Sequence, residues 1–572
     1  MGHAQSKVKK DFHEQRKVLV DDIIKVENEL KELKKRKSEL GDTDGHGEDI
    51  NYEEDKIHEE NYRKKLHTKG FKWPDPDPSG EENLVLELDD VSRMNATPVS
   101  RLFMVRNKED VKHVLHLART EGVPVSMRGT KHSMGGHTIA ENGYVMDMDR
   151  INHMKYNKKS SSVTLGPGAL WSNVVFYLNR FGMSPRTLQS YSTFSVGGSL
   201  SVNAHGITSD DSVQESVLSL TLIKWDGTEV VCSRGEDGEA GELFSLVLGG
   251  YGMFGVIVEV EMSVVPNVHL WSEMIDCSLE EFPIIYGNLL DAEDVNIKLG
   301  RIDTVSGERC QIFVFRTQNE EGVRTVSNLP LEPREMSRAS QVMYKWILPG
   351  GKMIRSMLEN AAHKALDWSE ENERNQLIFE SCEPLARLYS PFHELEDTFI
   401  LQEFFIPKKE FLTWTSNAKS ILTKKYENVT LLNCTVRFVN EDKTTVLSYS
   451  RVSEGSYAFV LYYRIRRCKE ADKVLKEIHH CLAEISLKLG GTFYLPYRHH
   501  YSVQQIKQSY PKIIQFFEKK KIYDPHGLFR SKWSDHYMKE IFPKFEFPLF
   551  SLHDDKIHTS HSEKDFKLPI VR

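Results

Sequence analysis

The sequence predicts an α+β protein in which a short N-terminal coiled coil and an acidic linker precede two principal domains. Apolar residues repeat at heptad spacing near the start of the chain, and from about residue 95 onward apolar stretches alternate with turns. Three segments rich in glycine and hydroxyl residues then follow, each at the edge of a predicted strand. Such loops let a ligand approach the backbone closely, so they are the first candidates for a binding site.

The composition predicts a cytoplasmic globular protein. With 572 residues the chain can bury two or three hydrophobic cores, and its net charge of −8 argues against nucleic acid as a partner. The sequence lacks a run of about 20 apolar residues, which a membrane-spanning helix needs, and its start lacks the apolar core of a secretory signal. The seven cysteines are scattered and form no CxxC pair, which indicates reduced thiols and predicts no metal site.

Residues 1–45 predict a basic start followed by a helix with a heptad repeat. The positions that alternate at spacings of four and three are Leu19, Ile23, Val26, Leu30, Leu33, Lys37 and Leu40, and all of them except Lys37 are apolar. Charged residues fill most of the other positions. Residues 12–40 would therefore pair two copies of the chain as a homodimer, or form a single solvated helix docked on the body. Both interpretations stay open.

The first ten residues, MGHAQSKVKK, fit a lipidation signal. Gly2 followed by Ser6 satisfies the N-myristoylation pattern, and Lys7, Lys9 and Lys10 add positive charge. A single acyl chain binds membranes weakly, so the lysines would supply the second signal through anionic lipid. Acylation at Gly2 would give the protein a peripheral contact with the cytosolic face of a membrane. The alternative is a plain disordered start.

The body of the protein follows an acidic stretch, residues 46–90, whose glycines and prolines predict a linker. Glu109 to Thr120 predicts a helix, because Val111, Val114, Leu115 and Ala118 share one face. The next stretch, VPVSM, predicts a strand that leads into the first glycine-hydroxyl loop. The three loops are RGTKHSMGGHT at 128–138, SVGGSLSVNAHG at 195–206 and LGGYGMFG at 248–255.

The third loop contains a formal dinucleotide fingerprint, Gly250-x-Gly252-x-x-Gly255. That fingerprint needs a strand before it and a helix after it. Here LFSLVL precedes the loop and looks helical, while VIVEVEMSVV follows it and alternates like a strand. The chain also lacks the GKS or GKT of a phosphate-binding P-loop. The loops instead predict a distributed cradle of backbone N–H groups that holds the pyrophosphate of a dinucleotide outside a Rossmann fold.

Four segments have the order and spacing of the FAD-binding domain of the vanillyl-alcohol oxidase superfamily, which is also called the PCMH type. They are RGTKHSMGG, LGPGALWSNV at 165–174, SVGGSLSVNAHG and LGGYGMFGVIVEVEM. The chain resembles the branch of alditol and aldonolactone oxidases, with cytokinin dehydrogenases further off. The likeness is strong over roughly 95–266 and returns at 402–407, 433–439 and 494–535.

The resemblance implies a two-part PCMH-type FAD-binding domain, formed by residues 91–267 and completed by residues 500–545. Residues 268–499 would form an α+β substrate or cap domain with an antiparallel sheet that covers the flavin. Residues 546–572 would form a tail. The implied cofactor is FAD.

The resemblance also assigns residues to the cofactor, namely Arg128, Gly129, Thr130, Lys131, His132, Ser133, Gly135, Pro167, Gly197, Gly198, Ser201, Asn203, His205, Gly206, Ile257 and Val258. His132 matches a histidine that many members bond to the flavin 8α carbon, so we predict covalent FAD. The alternative is a histidine that hydrogen-bonds its own loop beside non-covalent FAD. Pro167 matches a position on the approach to flavin C4a and favours oxygen as the electron acceptor. Thr130 and Lys131 stand where many relatives have glycine.

Four residues are candidates for catalysis. Arg437 resembles an arginine that stands over flavin N5, where a fixed cation would stabilise the anionic reduced flavin and an alkoxide. Thr435 stands where that branch has an acidic residue, which puts specificity for polyols in doubt. Tyr497, His499 and His500 match a segment that delivers a polar side chain to the active site, where a phenol or an imidazole would take a hydroxyl proton. The alternative is a strand end with exposed basic residues.

The expected function is a two-electron oxidation of a CH–OH or similar donor by hydride transfer to flavin N5, with oxygen or another electron acceptor. The partners would then be a small-molecule substrate and that acceptor. Two alternatives remain open. One is a flavin-dependent dehydrogenase or reductase that acts on a lipid or sterol-like substrate. The other is a membrane-tethered interaction protein that retains FAD as a structural part.

The lipidation hypothesis makes a direct prediction. Gly2→Ala removes the residue to which the acyl chain attaches, so the protein should move from the membrane fraction to the soluble fraction. Its flavin absorbance should not change, because the FAD loops lie more than a hundred residues further along the chain. Fractionation of cells that express the two forms measures the shift, with Gly45→Ala as the control. An unchanged distribution would show that the anchor hypothesis is wrong.

Overall fold

The structure is a computed structural model, and it describes residues 86–317, 371–380 and 396–548, together with the backbone of Ile570 and Val571. Helices combine with sheets that are mostly antiparallel, which confirms the α+β class. The predicted coiled coil, Gly2, nearly all of the linker and most of the tail lie outside the described residues.

The described fold begins inside the stretch predicted as linker. Strand β1 (Leu86–Leu88) pairs antiparallel with β2 (Thr97–Val99). Leu88 is buried against Val99, and the turn that follows binds the first glycine loop, because the Asp90 carboxylate accepts the Gly136 N–H at 2.9 Å. The predicted boundary at residue 91 is therefore too late by at least five residues. Composition alone missed a short strand whose role is to hold that loop.

A four-stranded sheet presents the first loop. Strands β3 (Arg101–Met104) and β4 (Val125–Arg128) flank β5 (Tyr144–Asp147) in parallel, and β20 (Ile570–Val571) pairs with β3. Helix α1 (Lys108–Glu121) makes the crossover from β3 to β4. The side chain of Asn107 caps its start, and Gly122, at φ 67°, ends it. Both the helix and the strand predicted after it are confirmed, with the predicted apolar face buried.

A six-stranded sheet carries the other two glycine loops. Its strands are β6 (Met154–Asn157), β7 (Ser162–Leu165), β8 (Met183–Pro185), β9 (Val217–Ile223), β10 (Glu229–Ser233) and β11 (Val256–Pro266). Its helices are α2 (Trp171–Asn179), α3 (Val196–Ser201) and α4 (Gly238–Val247). The order is β10–β9–β11–β7–β6, with β8 on the end of β11. Because α4 precedes the third loop and β11 follows it, the rejection of a Rossmann fingerprint is confirmed.

An eight-stranded antiparallel sheet forms the middle of the chain. In spatial order its strands are β15 (Glu371–Glu373), β12 (His269–Ser278), β14 (Arg309–Arg316), β13 (Val295–Ile302), β17 (Val429–Val439), β18 (Ser456–Arg466), β16 (Asp397–Pro407) and β19 (Thr492–Phe493). The helices within this stretch are α5 (Phe282–Leu290), α6 (Arg374–Glu380), α7 (Phe411–Thr423) and α8 (Lys469–Lys488). The sheet lies within residues 268–499, the range predicted for the substrate domain.

The last helices, α9 (Val503–Ser509), α10 (Ile513–Tyr523) and α11 (Lys532–Ile541), return the chain to the first sheet. The Val125 N–H donates to the Leu528 carbonyl at 2.6 Å, so the segment after α10 lies beside β4. A buried ion pair fixes this junction. Lys520 donates to Asp524 and to the carbonyls of Met253 and Phe529, the last two at 2.7 Å each.

This junction predicts a strong dependence of stability on one buried lysine. Lys520→Met would leave the Asp524 carboxylate buried without its cation, which costs about 3–5 kcal/mol. Urea unfolding followed by tryptophan fluorescence measures the loss. Lys512→Met, at the exposed start of α10, is the matched control and should change the unfolding free energy by less than about 0.5 kcal/mol. Equal effects of the two substitutions would contradict the role given to the pair.

Candidate active site

The three glycine loops meet in space. A Cβ atom at Gly129 would lie 2.1 Å from Ser195 Oγ, and one at Gly197 would lie 2.7 Å from Pro167 Cβ. The third loop joins them through the Gly249 N–H, which donates to the Leu200 carbonyl at 2.9 Å. Side chains at these glycines would push the loops apart. The loops that the sequence predicts to form one cradle therefore contact one another, and glycine is required where they touch.

The charge on Arg128 is compensated inside the protein. Arg128 and Asp147 are paired residues at the ends of β4 and β5, and two guanidinium nitrogens lie 2.8 Å from one carboxylate oxygen. Both side chains are buried. Arg128 therefore holds the start of the loop, and backbone N–H groups remain as the donors for a pyrophosphate.

The next residues of the loop are held by their backbone. Lys131 adopts a left-handed conformation, φ 60°, and its carbonyl accepts the Val91 N–H at 3.0 Å. Burial, and then the charge of Arg128, lower the pKa of Lys131. Thr130 is half-buried beside it. A further glycine, Gly135, lies so close to the C-terminal arm that a Cβ there would be 2.5 Å from the Tyr497 carbonyl.

His132 lies in an aromatic stack. Its ring packs on Phe194 with 4.1 Å between centroids, and Tyr191 stacks on the same phenylalanine at 5.6 Å. His132 Nε2 lies 3.3 Å from Thr193 Oγ1. Burial, and then the nearby Lys131, lower the pKa of His132 to about 4. The imidazole is therefore neutral at physiological pH and retains a lone pair on one nitrogen.

The turn of the second loop is held mainly by internal contacts. Asn203, at φ 50°, donates to Asp442 at 3.0 Å and accepts the Gln214 N–H at 3.2 Å, while its carbonyl accepts from Tyr449. A Cβ at Gly206 would lie 1.7 Å from the Leu188 carbonyl oxygen. Asn203 and Gly206 therefore shape the turn that presents His205. Ser201, the last residue of α3, donates its hydroxyl back to the Gly197 carbonyl at 2.8 Å, next to Gly198.

Strand β11 provides backbone beside these loops. Its ladder with β9 runs from Ile257–Leu222 directly to Glu259–Thr221, so Val258 lies in a β-bulge. Ile257 and Val258 are both buried, on opposite sides of the strand. The bulge takes the backbone of Val258 out of the regular pairing with β9.

A buried carboxylate that the sequence analysis did not assign forms the centre of the candidate site. Glu403, in β16, is 5% exposed. His205 Nε2 lies 2.5 Å from one carboxylate oxygen, and the Tyr497 hydroxyl donates to the other. The sheet register brings in Arg437, because Glu403 and Thr435 both face Val460 of β18, while Arg437 faces Ala458 two residues away. Side chains two residues apart share one face of a sheet.

The charges of this group support one another. Burial opposes ionisation of Glu403, but His205, Arg437 and Tyr497 together bring the pKa of Glu403 below its usual value. Burial, and then Glu403, raise the pKa of Tyr497 well above the ordinary value of a phenol. Glu403 is therefore an anion at neutral pH, and Tyr497 keeps its proton and donates it.

Arg437 connects this group to the loop that leads to His132. Its Nη2 donates to Ser190 Oγ at 2.5 Å. Its Nε, together with His205 Nδ1 and Ser133 Oγ, is buried without a hydrogen-bond partner among the residues that the structure describes. Buried polar atoms of a folded protein are almost always paired, so these three indicate a bound group that supplies the partners. Bound FAD, with a substrate beside it, fits that requirement.

The other two predicted catalytic residues are placed elsewhere. His500 lies 2.9 Å from His479 and 3.1 Å from Asp472, both in α8. His499 stacks on His536 with 4.9 Å between centroids, and burial lowers its pKa well below the usual value. Of the four candidates, Arg437 and Tyr497 thus meet at Glu403. His500 contacts α8, whereas His499 lies between α11 and the first glycine loop, with 5.9 Å between its ring centroid and that of His137. The reason is the turn after Tyr497, which directs the next residues toward the helices.

One signal in the sequence marks Glu403. The strand DTFILQEFFIP is apolar except at its start and at Gln402 and Glu403, and a charged residue in a strand buried on both faces must be paired. Asp442 and Ser190 lie in loops, where polar residues are ordinary, so no signal of this kind marks them.

Two negative observations apply to the described residues alone. In these ranges no three His, Cys, Asp or Glu side chains are grouped to hold a metal ion. Within the same ranges, no helix has both the length and the apolar character needed to cross a bilayer.

Comparison with known proteins identifies the domain that carries the loops. Residues 99–233 match the family described as FAD binding domain. Cytokinin dehydrogenase 1 of Arabidopsis thaliana is 30% identical over 166 residues, which are 28% of this chain and 28% of that protein. An uncharacterized oxidoreductase of Rhodococcoides fascians is 34% identical over 155 residues, 27% of this chain and 34% of its own length. The chain thus spans only about a third of these two relatives.

A third relative is similar over a much longer stretch. L-gulonolactone oxidase of Mus musculus is 22% identical over 441 residues, which cover 76% of this chain and 93% of that protein. The matched family and these relatives agree with the loop geometry and with the unpaired polar atoms beside the loops. The comparisons support a PCMH-type flavoprotein related to the vanillyl-alcohol oxidases, near the aldonolactone oxidase branch, with an FAD-binding domain at residues 99–233.

Proposed function

We propose that the protein is an oxidase that takes a hydride from a CH–OH or similar carbon of a small polar substrate, with oxygen as the electron acceptor. The observation that carries this proposal is the group of Arg437, Tyr497 and His205 around the buried anion Glu403. Bound FAD supplies the redox chemistry, because it takes the electrons of the substrate before they pass to oxygen. The side chains of the group bind and orient the substrate and hold its proton.

Tyr497 is positioned to receive the substrate proton. Its only hydrogen is donated to Glu403, so its oxygen is left to accept a hydrogen bond from a substrate hydroxyl. As the hydride leaves the carbon, the hydroxyl proton would pass to Tyr497, and the phenol proton would pass to Glu403. The relay leaves Tyr497 neutral and places one proton on the carboxylate.

Arg437 has a complementary electrostatic role. Its charge already favours the ionised form of Glu403, and its unpartnered Nε is a donor for the oxygen of the substrate. A fixed cation lowers the energy of negative charge that develops on that oxygen as the hydroxyl loses its proton. The bond from Arg437 to Ser190 holds the guanidinium in place without neutralising it.

The comparisons support a polar substrate and an oxidase. The similarity to L-gulonolactone oxidase extends over 441 residues, 76% of this chain, whereas the similarity to cytokinin dehydrogenase 1 covers 166 residues. A purely structural FAD would not require an ionised carboxylate with three partners. The site therefore favours an enzyme over an interaction protein, and the long similarity to L-gulonolactone oxidase favours a polar substrate and an oxidase over a lipid dehydrogenase.

The role of Arg437 predicts a specific kinetic defect. Arg437→Ala should slow anaerobic reduction of the flavin by about 10²–10³-fold, because the donor to the developing oxyanion is lost. L-gulonolactone is the first compound of a panel of lactones, hydroxy acids and polyols, and flavin absorbance in a stopped-flow instrument measures the rate. FAD content should stay at the wild-type value.

Arg309→Ala is the matched control, because Arg309 is an exposed arginine of the same sheet. It should reduce the flavin at the wild-type rate. If the flavin of Arg437→Ala is reduced at the wild-type rate, the active site lies elsewhere. Admission of air to the reduced enzyme then separates an oxidase, which is rapidly reoxidised with release of hydrogen peroxide, from a dehydrogenase, which is not.

We also propose that FAD is attached through His132. The supporting observations are its place in the pyrophosphate loop and its neutral imidazole, since only an unprotonated nitrogen can attack a carbon. Acid-precipitated protein should stay yellow, and a tryptic peptide that contains His132 should carry the mass of FAD. His132→Ala should bind FAD reversibly and lose its colour on denaturation. The control His153→Ala changes an exposed histidine and should stay yellow on denaturation.

The lowered pKa of His132 gives this proposal a pH dependence. His132 is almost fully deprotonated above about pH 5. Attachment of FAD to the apoprotein should therefore proceed at a constant rate from pH 8 to pH 5, and it should slow as the pH falls through about 4. A histidine with the usual pKa of about 6.5 would already be roughly tenfold slower at pH 5.5. A wild-type protein that loses all its flavin on precipitation would exclude the covalent bond.

A further inference from the structure

One long stretch of the chain has no negative charge. Residues 151–209 contain no Asp or Glu, although the whole chain has 83 of them. The same stretch contains five basic residues, namely Lys155, Lys158, Lys159, Arg180 and Arg186. It folds into strands β6 to β8 and helices α2 and α3, on a protein with net charge −8.

Two large apolar side chains project from this area. Phe176 and Phe181, at the end of α2, are 44% and 45% exposed. Phe181 contacts Tyr156 of β6, with 4.9 Å between ring centroids, and Tyr177, with 5.3 Å. The Arg180 guanidinium lies over the Phe176 ring at 5.2 Å. Single exposed apolar residues are common, but the adjoining rings of Phe181, Tyr156 and Tyr177, with the exposed Phe176 on the same helix as Tyr177, indicate an interaction site.

Exposed lysines border these rings. Lys158 and Lys159 are in the turn between β6 and β7, two and three residues after Tyr156, and both are exposed. Lys155 does not belong to this surface, because it is aligned with Thr164 and Glu261 on the opposite face of the sheet. Arg186 does not belong to it either, because it pairs with Asp211. The aromatic–basic patch therefore consists of Tyr156, Lys158, Lys159, Phe176, Tyr177 and Phe181.

We propose that the aromatic–basic patch is a docking surface for a membrane that contains anionic lipid. Phenylalanine rings need an apolar layer, and lysines need negatively charged groups just outside that layer. The boundary between the acyl chains and the headgroups of an anionic bilayer supplies both within a few ångströms. The absence of acidic residues from 151–209 removes the repulsion that such a surface would otherwise exert. This inference depends neither on the proposed reaction nor on acylation of Gly2.

The test uses the full chain, made without N-terminal acylation so that Gly2 cannot contribute. Cosedimentation measures its binding to vesicles of phosphatidylcholine and to vesicles with about 30% phosphatidylserine. We expect binding to the phosphatidylserine vesicles only, weaker at about 300 mM than at about 50 mM salt. The double variants Phe176→Ser with Phe181→Ser, and Lys158→Glu with Lys159→Glu, should each bind more than about tenfold more weakly.

Matched controls separate the patch from other surfaces. Ile284→Ser changes an exposed apolar residue of α5, and Lys424→Glu with Lys425→Glu changes two exposed neighbouring lysines after α7. Neither control should alter vesicle binding. A wild-type FAD spectrum in every variant shows that the fold is intact.

Three results would overturn the proposal. Wild-type protein that does not bind phosphatidylserine vesicles at low salt would exclude a lipid surface. Binding that is lost in Lys7→Glu with Lys9→Glu and Lys10→Glu, but kept in both patch variants, would assign the interaction to the N-terminal lysines. A wild-type dimer that light scattering shows to dissociate in the phenylalanine variant would instead make the patch a contact between two copies of the chain.

Discussion

The buried charge of Glu403 is the constraint on which the candidate site depends. An ionised carboxylate inside a protein costs several kcal/mol unless it is paired and hydrogen-bonded. Its partners come from three separate parts of the chain, because His205 follows the second glycine loop, Arg437 lies in β17, and Tyr497 lies in the arm after β19. The carboxylate is satisfied only when all three parts are in place. Assembly of the FAD loops and of the large sheet is thereby coupled.

Two other buried ion pairs extend this coupling to the rest of the FAD region. Arg128 with Asp147 joins the ends of β4 and β5 and so fixes where the first loop starts. Lys520 with Asp524 holds the C-terminal segment beside β4. Both pairs act at strand or helix ends, where backbone groups lack partners of their own and charged side chains can satisfy them. The loop around His132 is therefore held from both sides before any cofactor binds.

The features that the sequence predicted correctly depend on short-range patterns. Helix α1 has its cap, its apolar face and its terminal glycine within fifteen residues, and the glycine loops are recognised by composition alone. Glu403 and His205 are 198 residues apart, so no local pattern could indicate their contact. Strand β1 was missed because three residues are too few to show a period. The turn that separates His499 from Tyr497 depends on packing against α8 and α11, which the sequence does not display.

Different kinds of contact explain why the FAD region is recognisable and the large sheet is not. A Cβ at Gly129 or Gly206 would come within about 2 Å of atoms of another loop, so these positions permit only glycine. On a face of the sheet, a buried charged side chain needs an oppositely charged partner. Any strand of that face can supply this partner. The acid expected at position 435 is a threonine, and Glu403 of β16 faces the same residue of β18 from the other side. The carboxylate near Arg437 thus lies on another strand of the same sheet face, where a match along β17 alone does not find it.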